Sequence, residues 1–130
     1  MENKTVNNNK LSQNLGKLFY AIATVDGTLS EIETETLKQK VSDNWVFSES
    51  NEGIIDAFIW FSKNKEYESE ECYNSFIKYK QANERLFTKT LKEAIIAVAI
   101  NIASSFSKTN KAELMLLAKL EIEFEKEINP

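Results

Sequence analysis

The residues whose types and spacing could do chemistry surround an Asp-Gly turn in the first third of the chain. Asp26 and Gly27 end an apolar segment, and Glu33 follows seven residues after Asp26. Placing Gly27 at position 6 of an EF-hand loop puts Asp26 at position 5 and Glu33 at position 12, where that loop uses carboxylates. Positions 1 and 3 would then be Ile22 and Thr24, whereas calcium needs roughly six to eight oxygen ligands. The sequence therefore excludes an EF-hand.

A weaker divalent-cation site is compatible with the same segment. Its oxygen ligands would come from Asp26, Glu33 and the hydroxyls of Thr24, Thr28 or Ser30. The alternative is structural: Ser30 accepts a hydrogen bond from the backbone N–H of Glu33, and Glu33 accepts one from Ser30, which is a capping box at a helix start. A third possibility is a hydrolase that uses Asp26 and Glu33 as paired carboxylates. The sequence supplies neither a raised-pKa partner nor an oxyanion donor for that reaction.

Residue types that several catalytic mechanisms need are missing from the sequence. The chain has no histidine, which excludes Ser-His-Asp and Cys-His catalysis and Cys/His zinc sites. Its three glycines are isolated from one another, so the sequence has no phosphate-binding loop. Cys72 has no neighbour that would activate it, and we interpret it as a packing residue. The sequence predicts a protein that is not an enzyme. Apart from the divalent cation considered above, it is expected to hold no cofactor.

Aromatic and acidic residues are the candidates for a protein-binding surface. The aromatic side chains least committed to a helical apolar face include Trp45, Trp60 and Tyr67. Core packing is the ordinary role of such residues, but an exposed Trp beside acidic residues suits a binding hot spot. The acidic stretches 66–71 and 121–127 are either solvated faces or docking surfaces for a basic partner. We interpret Trp45, Trp60 and Tyr67 as the candidate interaction surface.

Length and charge predict one domain that does not bind nucleic acid. A chain of 130 residues is long enough for a single domain with its own core, which we place at 10–130 after a flexible N-terminus at 1–9. The net charge is −4 and Arg85 is the single arginine, whereas nucleic-acid surfaces need clustered Lys and Arg.

Apolar segments and cysteine usage predict a cytoplasmic location. Residues 1–10 are polar and lack the apolar core of a secretory signal. The longest apolar run, within 94–103, is shorter than the roughly 20 residues that span a bilayer. A lone cysteine fits a reducing compartment. We expect no membrane insertion.

The apolar spacing and the shortage of helix breakers predict an all-α chain. The one proline is the last residue, and apolar residues recur every three or four positions through most of the chain. We predict six helices: from 10 or 11 to 26, 31–44, 52–64, from a Ser69 cap to a junction at 83–88, 88–105, and from 110 into a tail that frays before Pro130. The fifth helix is apolar nearly all round and is expected to be the buried centre of the bundle.

The first helix, its turn and the start of the second helix contain a motif formed by Ala21, Ala23, Asp26, Gly27, Leu29, Ser30 and Glu33. This motif resembles that of the TerB-like family, which includes the tellurite-resistance proteins and the N-terminal domain of membrane-anchored DnaJ-like co-chaperones. The resemblance implies a non-enzymatic helical module that acts through protein contacts, with a divalent ion chelated by acidic residues of the motif, in a bacterial stress or tellurite-resistance setting. A plain helical interaction domain without metal is the alternative.

TerB-like proteins usually carry this unit twice, and an eroded second copy is present. Shifting the chain by 80 residues aligns 95–117 with 15–37 without a gap. Asn110 replaces the capping Ser30, whereas Phe106 and Ser107 replace the Asp-Gly pair. We therefore predict a single-domain, all-α bundle of two pseudo-repeated helix–turn–helix units, in which the first helix of each unit is mostly buried and the second is amphipathic.

Overall fold

The computed structural model describes residues 2–25, 30–45, 48–64, 67–104 and 111–126, with side chains for all of these except 2–9, 44 and 48–51. These residues form six α-helices and one 3₁₀ turn and contain no β-strand, so the predicted all-α class is confirmed for them. The elements are α1 (Glu2–Thr24), α2 (Glu31–Asn44), α3 (Ser48–Lys63), α4 (Ser69–Ala82), the 3₁₀ turn Glu84–Leu86, α5 (Lys89–Ala103) and α6 (Lys111–Glu125).

The central helix of the bundle is α1, and the prediction that the fifth helix takes this place is wrong. Helix α1 packs against α3, α4, α5 and α6 and fully buries Leu15, Leu18, Phe19 and Ile22. Helix α5 packs against α1, α2 and α6, but its Ile100 is half exposed. An apolar residue on every side of a helix does not require a neighbouring helix on every side.

Helices α1 and α3 approach each other at Gly16. A Cβ atom on Gly16 would lie 2.5 Å from the Cβ of Ala57, 2.7 Å from the carbonyl oxygen of Ile54 and 2.9 Å from the backbone nitrogen of Phe58. Two of these three atoms belong to the α3 backbone, which cannot move without disturbing the helix. The absence of a side chain at Gly16 therefore sets the separation of the two helices.

Capping residues define several helix starts. At α2 the predicted capping box is confirmed, because the Glu33 N–H donates to Ser30 Oγ at 3.1 Å and the Ser30 N–H donates to Glu33 Oε1 at 2.9 Å. Helix α4 begins at Ser69, but its N-cap is Glu68 rather than the predicted Ser69. The Ser69 hydroxyl instead donates to the carbonyl oxygen of Ala21 at 2.7 Å, near the C-terminus of α1.

Several helix boundaries differ from the sequence-based ones. Helix α1 begins at Glu2 and so includes residues 2–9, and α3 begins at Ser48, four residues ahead of its predicted start. Helix α6 continues through Glu125, as the helical interpretation of the tail predicts. The final residues, 127–130, lie outside the described part of the chain.

The two predicted repeat units each contain a helix, a connection and a second helix. Helix α2 begins at residue 31 and α6 at residue 111, while α1 ends at 24 and α5 at 103. The aligned pairs Leu15/Ile95, Leu18/Val98, Ile22/Ile102 and Leu37/Leu117 are all buried. The starts differ by 80 residues and the ends by 79, so these boundaries agree with the 80-residue offset to within one residue. The repeat itself stays a prediction.

No helix in the described ranges combines the length and the apolar character that a membrane span requires.

Candidate functional site

A cleft of about 690 Å³ opens where the ends of four helices meet. Its lining residues come from the C-terminal ends of α1 and α3 and from the N-terminal parts of α4 and α6. The lining residues are Tyr20, Thr24, Val25, Ser62, Tyr67, Glu68, Ser69, Glu70, Tyr73, Ala112, Met115, Leu116 and Lys119. Both apolar and charged side chains therefore face the same space.

An aromatic cluster, formed by Tyr20, Trp60, Phe61 and Tyr67, borders the cleft. The Phe61 ring lies 5.0 Å from Trp60, 5.4 Å from Tyr67 and 5.7 Å from Tyr20, measured between ring centroids. The Trp60 and Tyr67 rings are 5.8 Å apart. Phe61 and Tyr20 are buried, whereas Trp60 is 49% and Tyr67 is 41% exposed. The inner rings thus support two aromatic side chains that remain open to a binding partner.

Hydroxyl groups of the cleft are used to hold the ends of the helices. Thr24 Oγ1 donates to the carbonyl oxygen of Tyr20 at 2.8 Å, and the Tyr20 hydroxyl reaches the carbonyl oxygen of Tyr67 at 3.5 Å. The Ser69 hydroxyl is bonded to α1, as described above. These contacts fix the segment that carries Tyr67 against α1.

The charged groups of the cleft are two carboxylates and one ammonium. Glu68 and Glu70 are exposed at the start of α4, beside Tyr67. On α6, Lys119 Nζ lies 5.5 Å from the centroid of the Tyr73 ring of α4, in a cation–π contact. The α4 side of the cleft is therefore acidic and aromatic.

Burial raises the pKa of the phenols and of the thiol in this region. Burial, followed by the negative charge of Glu123, raises the pKa of Tyr73 to about 12. Burial also raises the pKa of Tyr20. Cys72 is buried, and burial raises the pKa of its thiol although the positive charge of Lys17 opposes that change. Cys72 therefore has the properties of a packing residue rather than of a nucleophile.

Of the two predicted metal ligands, the structure describes Glu33 but not Asp26. Asp26 lies outside the described part of the chain, and Glu33 accepts the hydrogen bond of the α2 cap described above. Across the described ranges, no three Asp, Glu or Cys side chains converge as a metal site requires. Glu33 alone does not fit the set of oxygen ligands that a divalent ion needs.

The predicted interaction residues divide into a buried one and an exposed pair. Trp45 is 7% exposed and packs edge-on against Phe19, with ring centroids 6.2 Å apart. Trp60 and Tyr67 are in contact with each other, and Tyr67 lines the cleft. The position of Trp60 outside the apolar face of its helix was the sequence signal for its exposure.

A buried ionic cluster at Lys80 was missed by the sequence reasoning. Lys80 is completely buried, and its Nζ lies 2.8 Å from Glu84 Oε2, 3.1 Å from Glu123 Oε2 and 3.0 Å from the Glu123 carbonyl oxygen. The signal was its spacing, because Lys80 follows Tyr73 and Phe76 on the buried face of α4. The cluster joins α4 to the end of α6, and its internal pairing indicates a structural role.

Comparison of the chain with protein-family models, with curated proteins and with solved structures finds no match. The resemblance to TerB-like proteins therefore stays a prediction from the motif around Asp26 and Gly27.

Proposed function

We propose that this chain is a non-enzymatic helical module that binds another protein through the cleft and its aromatic cluster. The observation that carries the proposal is the exposure of Trp60 and Tyr67 side by side, with Tyr67 lining the cleft. Trp and Tyr are enriched among the residues that dominate protein–protein binding energy. Their contact with buried Phe61 orders both rings before a partner arrives, which lowers the entropy cost of binding.

The partner segment that fits this surface is basic with an apolar anchor. A Lys or Arg side chain can approach the carboxylates of Glu68 and Glu70 and the face of an exposed aromatic ring at the same time. An apolar side chain of the same segment can enter the cleft against Leu116 and Met115. Charge would determine orientation and association rate, and the aromatic contacts would supply most of the affinity.

The wider setting of this binding function follows from the motif alone. The resemblance to TerB-like proteins supports a bacterial stress or tellurite-resistance role in the cytoplasm. A plain interaction domain without metal uses the same cleft and differs only in its independence from divalent ions.

A capture experiment from the source cell tests the binding function. The wild-type chain and a Trp60→Ala/Tyr67→Ala variant are immobilised, and recovered proteins are quantified with Mg²⁺ or with EDTA. We expect at least one protein to be recovered with the wild type and reduced tenfold or more with the variant, since losing a hot-spot residue costs about 2 kcal/mol or more. Equal recovery with Mg²⁺ and EDTA would favour the plain interaction domain.

Ile100→Ala is the matched control, because Ile100 is a half-exposed apolar residue on α5 and does not line the cleft. It should leave recovery unchanged. Thermal unfolding of all three proteins verifies that the variants are folded. If the Trp60→Ala/Tyr67→Ala variant recovers as much partner as the wild type, or if Ile100→Ala loses as much recovery as that variant, the cleft is not the binding surface.

A further inference from the structure

The outward face of α6 is apolar where a solvent-facing helix surface is normally polar. The inward face is buried against the bundle and includes Leu116, Leu117, Leu120 and Phe124. On the opposite face, Leu114 is 54%, Met115 is 58% and Ile122 is 60% exposed. With the exposed Ala118 they form a continuous stripe at helical spacing, which we call the outer stripe. Contiguous exposed apolar surface of this kind marks interaction sites.

The charges at the two ends of the outer stripe are reversed relative to the usual preference of a helix. Lys111 is the first residue of α6 and Glu125 is the last, and both are exposed. The helix macrodipole favours acidic residues at the start and basic residues at the end. Neither Lys111 nor Glu125 forms an ion pair within the ranges that the structure describes. Elsewhere α6 follows this preference, because the buried Glu113 lies in its first turn and the ammonium groups of Lys80 and Lys92 donate to the carbonyl oxygens of Glu123 and Phe124 near its end. The exposed charges of Lys111 and Glu125 are the exception.

An antiparallel copy of the same helix satisfies both the apolar stripe and the reversed charges. Residues 111 and 125 lie seven positions on either side of Ala118, and residues 114 and 122 lie four positions on either side. A two-fold axis at Ala118 therefore places Lys111 opposite Glu125 of a second copy and Leu114 opposite Ile122, each pair occurring twice. The small Ala118 side chain at the axis lets the two helices approach closely.

We propose that two copies of this chain associate through the outer stripe of α6, antiparallel about Ala118. Such a contact is isologous, the arrangement of most homodimers, because each surface residue meets a symmetry-related one. It also places the positive end of each helix beside Glu125 of the other. A helix of 15 residues is about 22 Å long, so the contact is smaller than a permanent dimer interface and the association is weak.

The proposed dimer contact and the cleft are formed by different principal residues. Leu114, Ala118 and Ile122 do not line the cleft, whereas Met115 lies at its edge. Disrupting the outer stripe at Ile122 therefore changes self-association without changing the aromatic cluster. The two proposals can fail separately.

Sedimentation equilibrium of the full chain between about 1 and 300 µM tests the association, a range suited to a weak dimer. We expect monomer at the lowest concentration and an increasing dimer fraction above it. Leu114→Lys or Ile122→Lys should reduce the dimer fraction at the highest concentration at least tenfold. Ile100→Lys, the control on α5, should leave it unchanged. Monomer at every concentration would assign the outer stripe to a different partner and overturn the proposal.

Charge exchange tests the antiparallel register. Lys111→Glu and Glu125→Lys should each weaken the dimer, because either change places like charges opposite each other, and the double variant should restore it. Both substitutions agree with the helix macrodipole, so neither should weaken α6 itself. A double variant that associates no better than the single variants would overturn this register.

Cross-linking tests the position of the axis. The thiol introduced by Ala118→Cys should form a disulfide-linked dimer when oxidised by oxygen with copper–phenanthroline, because the residue meets its own symmetry mate. The native Cys72 is buried and should not react. Concentration-dependent association without this cross-link would place the axis elsewhere and contradict the proposed geometry.

Discussion

At the scale of single residues, the three protons of the Lys80 ammonium have three oxygen acceptors inside the protein. Two are on Glu123 and one is on Glu84, all within 3.1 Å. We expect Lys80→Met to lower the free energy of unfolding by about 3 kcal/mol, because it leaves the buried Glu123 carboxylate without its buried cation. Urea denaturation followed by circular dichroism measures this change.

Lys126 is the matched control for Lys80. It contacts the same carboxylate, with Nζ 3.1 Å from Glu123 Oε1, but its side chain is 59% exposed. Lys126→Ala should therefore cost less than about 1 kcal/mol, since water screens an exposed ion pair. A Lys80→Met variant as stable as Lys126→Ala would show that burial does not strengthen the Lys80 contacts.

Metal affinity is also decided by single residues. Glu33 is held in the α2 cap, and an N-cap contributes about 1 kcal/mol to helix stability. We expect isothermal titration calorimetry to show no micromolar affinity for Ca²⁺ or Mg²⁺, in the wild type or in Asp26→Ala. A micromolar affinity that Asp26→Ala removes would contradict this prediction and identify Asp26 as a ligand.

At the scale of helices, Gly16 determines how closely α1 and α3 pack. Alanine favours a helix by about 1 kcal/mol over glycine, so Gly16→Ala would stabilise an isolated helix. In the bundle its Cβ would overlap atoms of α3, including the carbonyl oxygen of Ile54. Overpacking costs about 1–3 kcal/mol, so we expect net destabilisation in a thermal melt.

The double variant Gly16→Ala/Ala57→Gly separates two contributions to this effect. It removes the contact between the two Cβ atoms but keeps the overlap with the α3 backbone. Only partial recovery of stability is therefore expected. Full recovery would mean that the α3 backbone does not limit the approach.

Helix identity was predictable because it depends on local sequence. Apolar spacing and the Ser30–Glu33 cap predicted where helices occur and where α2 begins. The central position of α1 was not predictable, because it depends on contacts among four helices that spacing does not encode. For the cleft, the sequence indicated Trp60 and Tyr67 as candidates. The sequence could not show that Phe61 and Tyr20 bring the rings of Trp60 and Tyr67 together, or that Trp45 is buried.

At the scale of the whole molecule, stability should fall at alkaline pH. Tyr73 is buried and its pKa is raised from 10.0 to about 12, which favours the neutral phenol in the folded protein. The stabilisation of the folded protein that this raised pKa provides is fully present below pH 10 and is lost as the pH rises through the folded pKa. We expect Tyr73→Phe to reduce the loss of unfolding free energy between pH 10 and 12 by up to about 2 kcal/mol. Identical pH profiles for the two proteins would contradict this assignment.

The placement of α1 at the centre has a consequence for synthesis on the ribosome. Every helix that packs on α1 is translated after it, and α6 ends about 100 residues later. At a translation rate of roughly 5–20 residues per second, α1 lacks its last packing partner for about 5–20 s before α6 emerges. The nascent chain therefore presents Leu15, Phe19 and Ile22 to the cell during that interval. Chaperone capture of nascent chains should peak for those stalled before α6 and fall once α6 has left the exit tunnel.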